Sequence, residues 1–309
     1  MYRYEDDSLM LHNDLYQINM AESYWNDGIH ERNAVFDLYF RNMPFGSGYA
    51  VFNGLKRMIQ FIENFHFSDS DIEYLQSIGY KNDFLKYLKN LKFTGNIRAM
   101  QEGELCFGNE PLLRVEAPLI QAQLIETILL NIVNFHTLIT TKASRIRQVA
   151  PQDTLMEFGT RRAQEIDAAV WGARAAYIGG FDSTSNVRAG KLFGIPVSGT
   201  HAHALVQTYG DEYKAFKIYA ERHKNCVFLV DTFHTLKSGV PTAIKVAKEL
   251  GDSINFIGIR LDSGDIAYLS KKARRMLDDA GFKDAKIIAS NDLDEQTITS
   301  LKAQGAKVD

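Results

Sequence analysis

Cys226–Val230 (CVFLV), Ile254–Ile259 (INFIGI) and Lys286–Ala289 (KIIA) are three short apolar, partly β-branched runs. Their starts lie roughly 30 residues apart, the length of one strand–helix unit, and a helical pattern follows each. Each run also ends in polar or glycine residues: Asp231-Thr232, Arg260 to Asp265, and Ser290-Asn291-Asp292. Upstream, Thr154–Phe158 runs into Gly159-Thr160-Arg161, and Pro196–Ser198 into Gly199-Thr200-His201, with a further candidate strand near Phe181–Ser183. In parallel α/β folds ligand chemistry gathers where strands enter the following loops, and every polar cluster here sits at such a junction. The expected fold is therefore α/β, an irregular (β/α) barrel, with a doubly wound open sheet as the rival. The units fall short of a full barrel, and Lys307-Val308-Asp309 reads as the start of another strand. A barrel incomplete at the C-terminus explains that stop better than an open sheet.

The N-terminal part has a different texture. Asp14 is placed to cap a helix over Leu15–Tyr24, and Ala34–Arg41 alternates like a strand. Tyr49–Phe65 and Ser68–Leu91 read as helices, with Ser68 and Ser70 as N-cap candidates, and Phe93–Ala117 as short strands around Gly103, Gly108 and Pro111. A long helix follows over about Leu119–Gln148. These patterns predict an α+β domain over 1–118 and the α/β barrel domain over 119–309.

The 309 residues suit about two domains or one large barrel. A chain that is 45% hydrophobic and 24% charged, with 22 glycines and 6 prolines, is neither disordered nor collagen-like. The net charge of −3 and the lack of a long basic run argue against nucleic acid as a partner. The apolar stretch Leu119–Ile139 is interrupted by Gln121, Gln123, Glu126, Asn131, Asn134 and His136, so it reads as a buried helix, not a membrane span. With Met1–Met10 charged and only Cys106 and Cys226 available for a disulfide, a soluble protein of the reducing cytoplasm is expected.

Several clusters suit chemistry. Arg260-Leu261-Asp262-Ser263-Gly264-Asp265 combines carboxylates, a hydroxyl and a guanidinium that suit a sugar, a metal or a phosphate; the plain alternative is that Ser263 or Asp265 caps the next helix. Gly199-Thr200-His201-Ala202-His203 offers a strand-end histidine as nucleophile or acid–base, or simply hydrogen-bonded loop histidines. Glu157-Phe158-Gly159-Thr160-Arg161-Arg162 places an aromatic ring beside two guanidiniums, or a core Phe beside solvated arginines. Gly179–Asn186 is hydroxyl-rich and opens a helix, as an anion cradle or a capped turn. Tyr16, in Asp14-Leu15-Tyr16-Gln17, is a second stacking face or a packing residue. No Walker loop, dinucleotide-binding glycine motif after a strand, or nucleophile elbow is present.

Taken together, in this order, and with Asp231-Thr232 and Ser290-Asn291-Asp292 fitting as well, these stretches resemble the nicotinate phosphoribosyltransferase family. The resemblance implies an irregular α/β barrel with an N-terminal domain. It also implies synthesis of nicotinate mononucleotide and pyrophosphate from nicotinate and phosphoribosyl pyrophosphate, coupled to ATP hydrolysis, in NAD biosynthesis. Under it, His203 is the histidine that ATP phosphorylates, and Phe158 and Tyr16 sandwich the pyridine ring, Tyr16 reaching in from a homodimer partner. Arg161, Thr200 and Arg260 surround nicotinate, and Asp262 lies near the ribose. Ser263, Asp265, Asp231 and Asn291 belong to the phosphate, ribose or Mg²⁺ vicinity, Mg²⁺ arriving with the phosphates and no metal being resident. Nicotinamide-using relatives carry an aspartate where the approximate alignment puts Ser185, and a buried aspartate would repel the acid.

Family members continue past Asp309 into a glycine-rich loop for the 5′-phosphate and the final barrel strands. The expectation is either a piece of a longer protein or a truncated product. Rival readings are nicotinamide or quinolinate phosphoribosyl transfer, a non-catalytic binding homologue, and a metal-dependent hydrolase built on Asp262, Asp265, His201 and His203.

Overall fold

The computed structural model describes residues 8–309. Two compact units are present among them: residues 8–144 with 162–180, and residues 145–161 with 181–309.

The first unit opens with α1 (Leu15–Asn26), β1 (Asn33–Leu38) and β2 (Ala50–Val51). Next come α2 (Leu55–Glu63), α3 (Asp69–Ser77), α4 (Asn82–Asn90), β3 (Asn96–Ala99), β4 (Leu105–Cys106) and β5 (Leu113–Pro118). The strands are antiparallel: β5 lies between β1 and β3, and β2 pairs with β4. Along β5, Leu113, Val115 and Ala117 are buried while Arg114 and Glu116 face outward, the period of two that a one-sided sheet demands. Ser68 caps α3 in a reciprocal box, its Oγ accepting the Asp71 N–H at 3.1 Å while its own N–H donates to Asp71 Oδ2 at 2.8 Å. The expected single helix over Ser68–Leu91 is two, because Gly79 takes φ +107 and breaks the ladder after α3. The helix expected from Tyr49 starts at Leu55, since Ala50 and Val51 pair with β4.

The helix α5 (Leu119–Val149) is long and apolar enough to cross a membrane by length and composition. Its Ile120, Leu124, Ile125, Leu129 and Val133 lie instead in the first unit's core. Polar side chains on its buried side are bonded: Gln121 Oε1 accepts the Thr94 N–H at 2.8 Å, and Thr141 Oγ1 accepts the Val51 N–H at 2.9 Å, while Asn131 and Asn134 are exposed. The unit is completed by α6 (Ile166–Ile178), where Thr140 donates to the Ala175 carbonyl at 3.1 Å and Arg174 pairs with Glu102 at 2.6 Å. These contacts put the break at Ser144/Arg145 instead of the expected Pro118, because most of α5 packs as core of the N-terminal unit.

The second unit begins with β6 (Met156–Glu157) and β7 (Ser183–Thr184), which are parallel, with a bridge from Thr184 to Val197. After α7 (Val187–Phe193), α8 (His203–Tyr209) and α9 (Glu212–Arg222) come β8 (Asn225–Leu229), α10 (Val240–Leu250), β9 (Asn255–Leu261), α11 (Ile266–Asp279), β10 (Lys286–Ala289) and α12 (Glu295–Ala303). The parallel sheet has the order β10-β9-β8, so each strand neighbours the next in sequence. Its register aligns the strand ends, with Leu229 opposite Arg260 and Ala289 opposite Leu261. Phe216, Phe228, Val230, Ile259, Leu261 and Ile287 form the core between the sheet and its helices. At its centre the Phe216 and Phe228 rings stack with centroids 4.9 Å apart.

The fold is thus mixed α/β, and the strand–helix rhythm read from the sequence is present. Among the described residues the parallel strands form two separate ladders, β10-β9-β8 and β6-β7, and their pairing does not trace a closed barrel.

Candidate active site

The ends of β6, β8, β9 and β10 and the start of α8 bring one polar network together inside the second unit. Arg260, near the end of β9, is its hub. Its Nη1 donates to Thr200 Oγ1 at 2.8 Å, its Nε to Ser290 Oγ at 2.9 Å, and its Nη2 to Asp262 Oδ1 at 2.9 Å. The guanidinium carbon stands 5.6 Å from the centre of the Phe158 ring, within cation–π range. Ser290 donates a further short hydrogen bond to Asp262 Oδ1. Burial raises the Asp262 pKa, but bonds from Ser290 and Arg260 and the charges of Arg260 and His203 outweigh it, so the carboxyl sits below its ordinary range.

Asp231 is the second junction. Its side chain is 1% exposed, and Oδ1 meets His203 Nε2 at 3.0 Å. Its Oδ2 accepts the Asp262 N–H at 2.8 Å and the Ser263 hydroxyl at 2.6 Å. One carboxylate therefore ties the histidine to the loop after β9. The His203 side chain is 34% accessible, and a neutral ring that donates from Nε2 to Asp231 keeps its lone pair on Nδ1.

The network joins Phe158, Thr200, His203, Asp231, Arg260, Asp262 and Ser263. Ser185, just after β7, donates its N–H to the Glu157 carbonyl at 2.9 Å. Arg161 and Asn291 are exposed and make no bond to the network, Asn291 holding a φ of +86. Asp265 takes the plain alternative: it caps α11, accepting the Tyr268 N–H at 2.9 Å. Tyr16 lies on α1 in the first unit, half exposed, its hydroxyl accepting from Gln17 Nε2 at 3.0 Å.

His201 is not a ligand position. Its ring is buried against Phe216, Tyr219 and Phe228, and Nε2 accepts the Leu229 N–H at 3.1 Å. The hydrolase set of Asp262, Asp265, His201 and His203 therefore does not converge, and no group of three or more His, Cys, Asp and Glu among the described residues is arranged to hold a metal. Sequence reasoning left Ser290 and Glu157 unassigned. The only signal for Ser290 was its place at a strand end, in register with the β9 end; Glu157 sits inside a motif read for its aromatic and arginines.

The chain matches two family models: the nicotinate phosphoribosyltransferase (NAPRTase) N-terminal domain over residues 11–134, and the nicotinate phosphoribosyltransferase (NAPRTase) family over residues 154–307. It is 69% identical to the nicotinate phosphoribosyltransferase of Bacillus subtilis over all of its own length and 63% of that protein's. The crystal structure of human nicotinic acid phosphoribosyltransferase superposes with a TM-score of 0.89 at 32% identity, over 96% of this chain and 71% of the human one. A Pyrococcus furiosus structure named as a nicotinate-nucleotide pyrophosphorylase shares the fold, with a TM-score of 0.81 at 24% identity over 100% of this chain and 72% of that one. The chain spans about 63–64% of the length of the Bacillus subtilis and Arabidopsis thaliana relatives it matches. On these matches, and with the expected residues gathered at the strand ends, the chain belongs to the nicotinate phosphoribosyltransferase family.

Proposed function

We propose that this chain supplies a nicotinate phosphoribosyltransferase site, joining nicotinate to phosphoribosyl pyrophosphate in NAD biosynthesis. The observation that carries the reading is Arg260, which faces the Phe158 ring while bonded to Asp262, Thr200 and Ser290. A flat anionic ring needs an aromatic face and a cationic donor, and a sugar centre gaining positive charge needs a carboxylate beside it. Phe158, Arg260, Thr200 and Arg161 would hold nicotinate, and Asp262 the ribose. The pyridine nitrogen attacks the ribosyl carbon as its bond to pyrophosphate breaks, and ionised Asp262 stabilises the oxocarbenium character between them. Asp262 and Asp231, hard oxygen donors, with Ser263 and Asp265 in the loop after β9 and Asn291 after β10, suit Mg²⁺ brought in with the phosphates, which would offset the leaving group's charge. Ser185, neutral at the position expected to read the substituent, favours the acid over the amide.

ATP coupling runs through His203 in this proposal. The Nδ1 lone pair attacks the terminal phosphorus of ATP, the bond to the bridging oxygen breaks, and ADP leaves; Asp231 keeps the Nε2 proton in place and offsets the charge on the ring. The added charge of about −1.5 to −2 next to Arg260 tightens the phosphoribosyl pyrophosphate site. A homodimer with shared sites, Tyr16 of one copy covering the ring bound by the other, accounts for that tyrosine's exposure on α1. The irregular barrel also belongs to the proposal, supported by the sequential strand order β8-β9-β10. So does the cytoplasm, supported by Cys106 and Cys226 being free thiols.

The test is turnover of phosphoribosyl pyrophosphate with nicotinate, nicotinamide or quinolinate, with and without ATP. Nicotinate preferred and accelerated by ATP is the expected result. His203→Ala should abolish the acceleration and leave slow ATP-independent synthesis. Preference for another base, or undiminished coupling in the variant, refutes the corresponding part.

A further inference from the structure

Glu157 ties together the two segments that carry Phe158 and Ser185. Its backbone carbonyl accepts the Ser185 N–H at 2.9 Å. One side-chain oxygen, Oε2, accepts the Thr184 hydroxyl at 2.6 Å, and the other accepts the Gly159 N–H in a short bond. Thr184 is fully buried, and its Oγ1 also accepts the Asn186 N–H at 3.0 Å. Asn186 in turn caps α7 by accepting the Ala189 N–H at 2.9 Å. Phe158 thus lies between two residues held by one carboxylate, and Ser185 between two residues held by the same relay. A Cβ on Gly159 would stand 2.7 Å from Glu157 Oε1, so a side chain there would push the carboxylate aside.

The geometry points to Glu157 as the positioning residue of the base subsite, setting the distance between the stacking face of Phe158 and the hydroxyl of Ser185. The inference rests on the nicotinate reading above. Its chemistry is that of a rigid gauge. One carboxylate accepts from Gly159 in the loop after β6 and from Thr184 in β7, so it holds the loop that carries Phe158 against the end of β7. Glu157 itself need not touch substrate. Ser185 can discriminate an acid from an amide only if its hydroxyl stands at a set distance from the ring plane, since hydrogen bonds weaken steeply with misalignment.

The test uses the full chain and the variants Glu157→Ala, Glu157→Gln and Thr184→Val. Glu157→Ala should raise the KM for nicotinate roughly tenfold or more, the loss expected for a buried bond to a charged group. The KM for phosphoribosyl pyrophosphate and kcat should move far less, and the preference for nicotinate over nicotinamide should shrink. Glu157→Gln, which still offers one acceptor, should recover part of the loss. Thr184→Val removes the hydroxyl's bonds to Glu157 and to the Asn186 N–H at nearly constant shape; it should raise the nicotinate KM in the same direction and decides the matter if Glu157→Ala does not fold. An unchanged nicotinate KM in a folded variant, or a fall in kcat alone, overturns the inference while leaving the function intact. Wild-type chain that neither binds nor turns over nicotinate overturns both.

Discussion

Acid should destabilise the second unit through His201. The ring is 7% exposed, with Phe216, Tyr219 and Phe228 around it. Nε2 accepts the Leu229 N–H at 3.1 Å, so it must be unprotonated, and the proton sits on Nδ1. Burial is the main force on this group, with repulsion from Arg260 and His203 added, and the pKa is pushed down to about 4. In the unfolded chain an imidazole titrates near about 6.5. Between those values the unfolded state binds the extra proton and the folded state does not, so stability is flat above the upper one and falls as pH drops toward the lower. At about 1.4 kcal/mol per unit of difference, the loss between about pH 7 and about pH 5 is about 2 kcal/mol. Histidine-selective NMR should find this ring neutral, with the proton on Nδ1, down to about pH 4. Urea unfolding followed by circular dichroism should show wild type losing stability with acid faster than His201→Gln, the gap between them changing by about 2 kcal/mol over that range. Trp25 and Trp171 both belong to the first unit, so tryptophan fluorescence watches the wrong part of the chain. A ring that titrates near its ordinary value, or a gap independent of pH, refutes the reasoning.

Other outcomes follow from the same network. Arg260→Lys replaces a fork that reaches Thr200, Ser290 and Asp262 with a point charge; kcat/KM for nicotinate should fall by roughly tenfold to a hundredfold, read by steady-state kinetics, with little change in fold. Asp231→Asn cannot accept at both oxygens what the carboxylate accepts from His203, Asp262 and Ser263; phosphate incorporation from labelled ATP should drop by at least roughly tenfold, and unfolding free energy by about 1–3 kcal/mol. Gly258→Ala would put a Cβ 1.9 Å from the Lys286 carbonyl oxygen at a φ of +156, splitting β9 from β10; loss of folded protein on purification is expected, and a normal melting temperature would show that the strands give way more easily than this geometry allows.

Local chemistry was legible wherever it repeats along the chain. The apolar runs at Cys226, Ile254 and Lys286 are β8, β9 and β10 within two residues at each end, and the run is cleanest in β8, which is buried on both faces from Cys226 to Leu229. Ser68 was readable as a cap because its partner Asp71 is three residues away. The split of α3 from α4 was missed because one glycine's φ, not the apolar period that runs through it, ended the helix. The domain break near Pro118 was misplaced for a related reason: α5 carries apolar residues on several faces, and a helix of that kind does not announce which core it joins.

By itself the sequence determined the strand–helix alternation, the strand-end position of Phe158, Thr200, His203, Asp231, Arg260 and Asp262, and the family resemblance those residues carry, since each is a matter of short-range spacing. Only the tertiary structure decided which residues meet. His201 and His203 are two apart and chemically identical, yet α8 begins at the second, so one ring turns into the core while the other pairs with Asp231 across 28 positions. Partners that distant along the chain are chosen by strand register and by the burial of Phe228 and its neighbours, energies that belong to the packed sheet and to no local stretch of it.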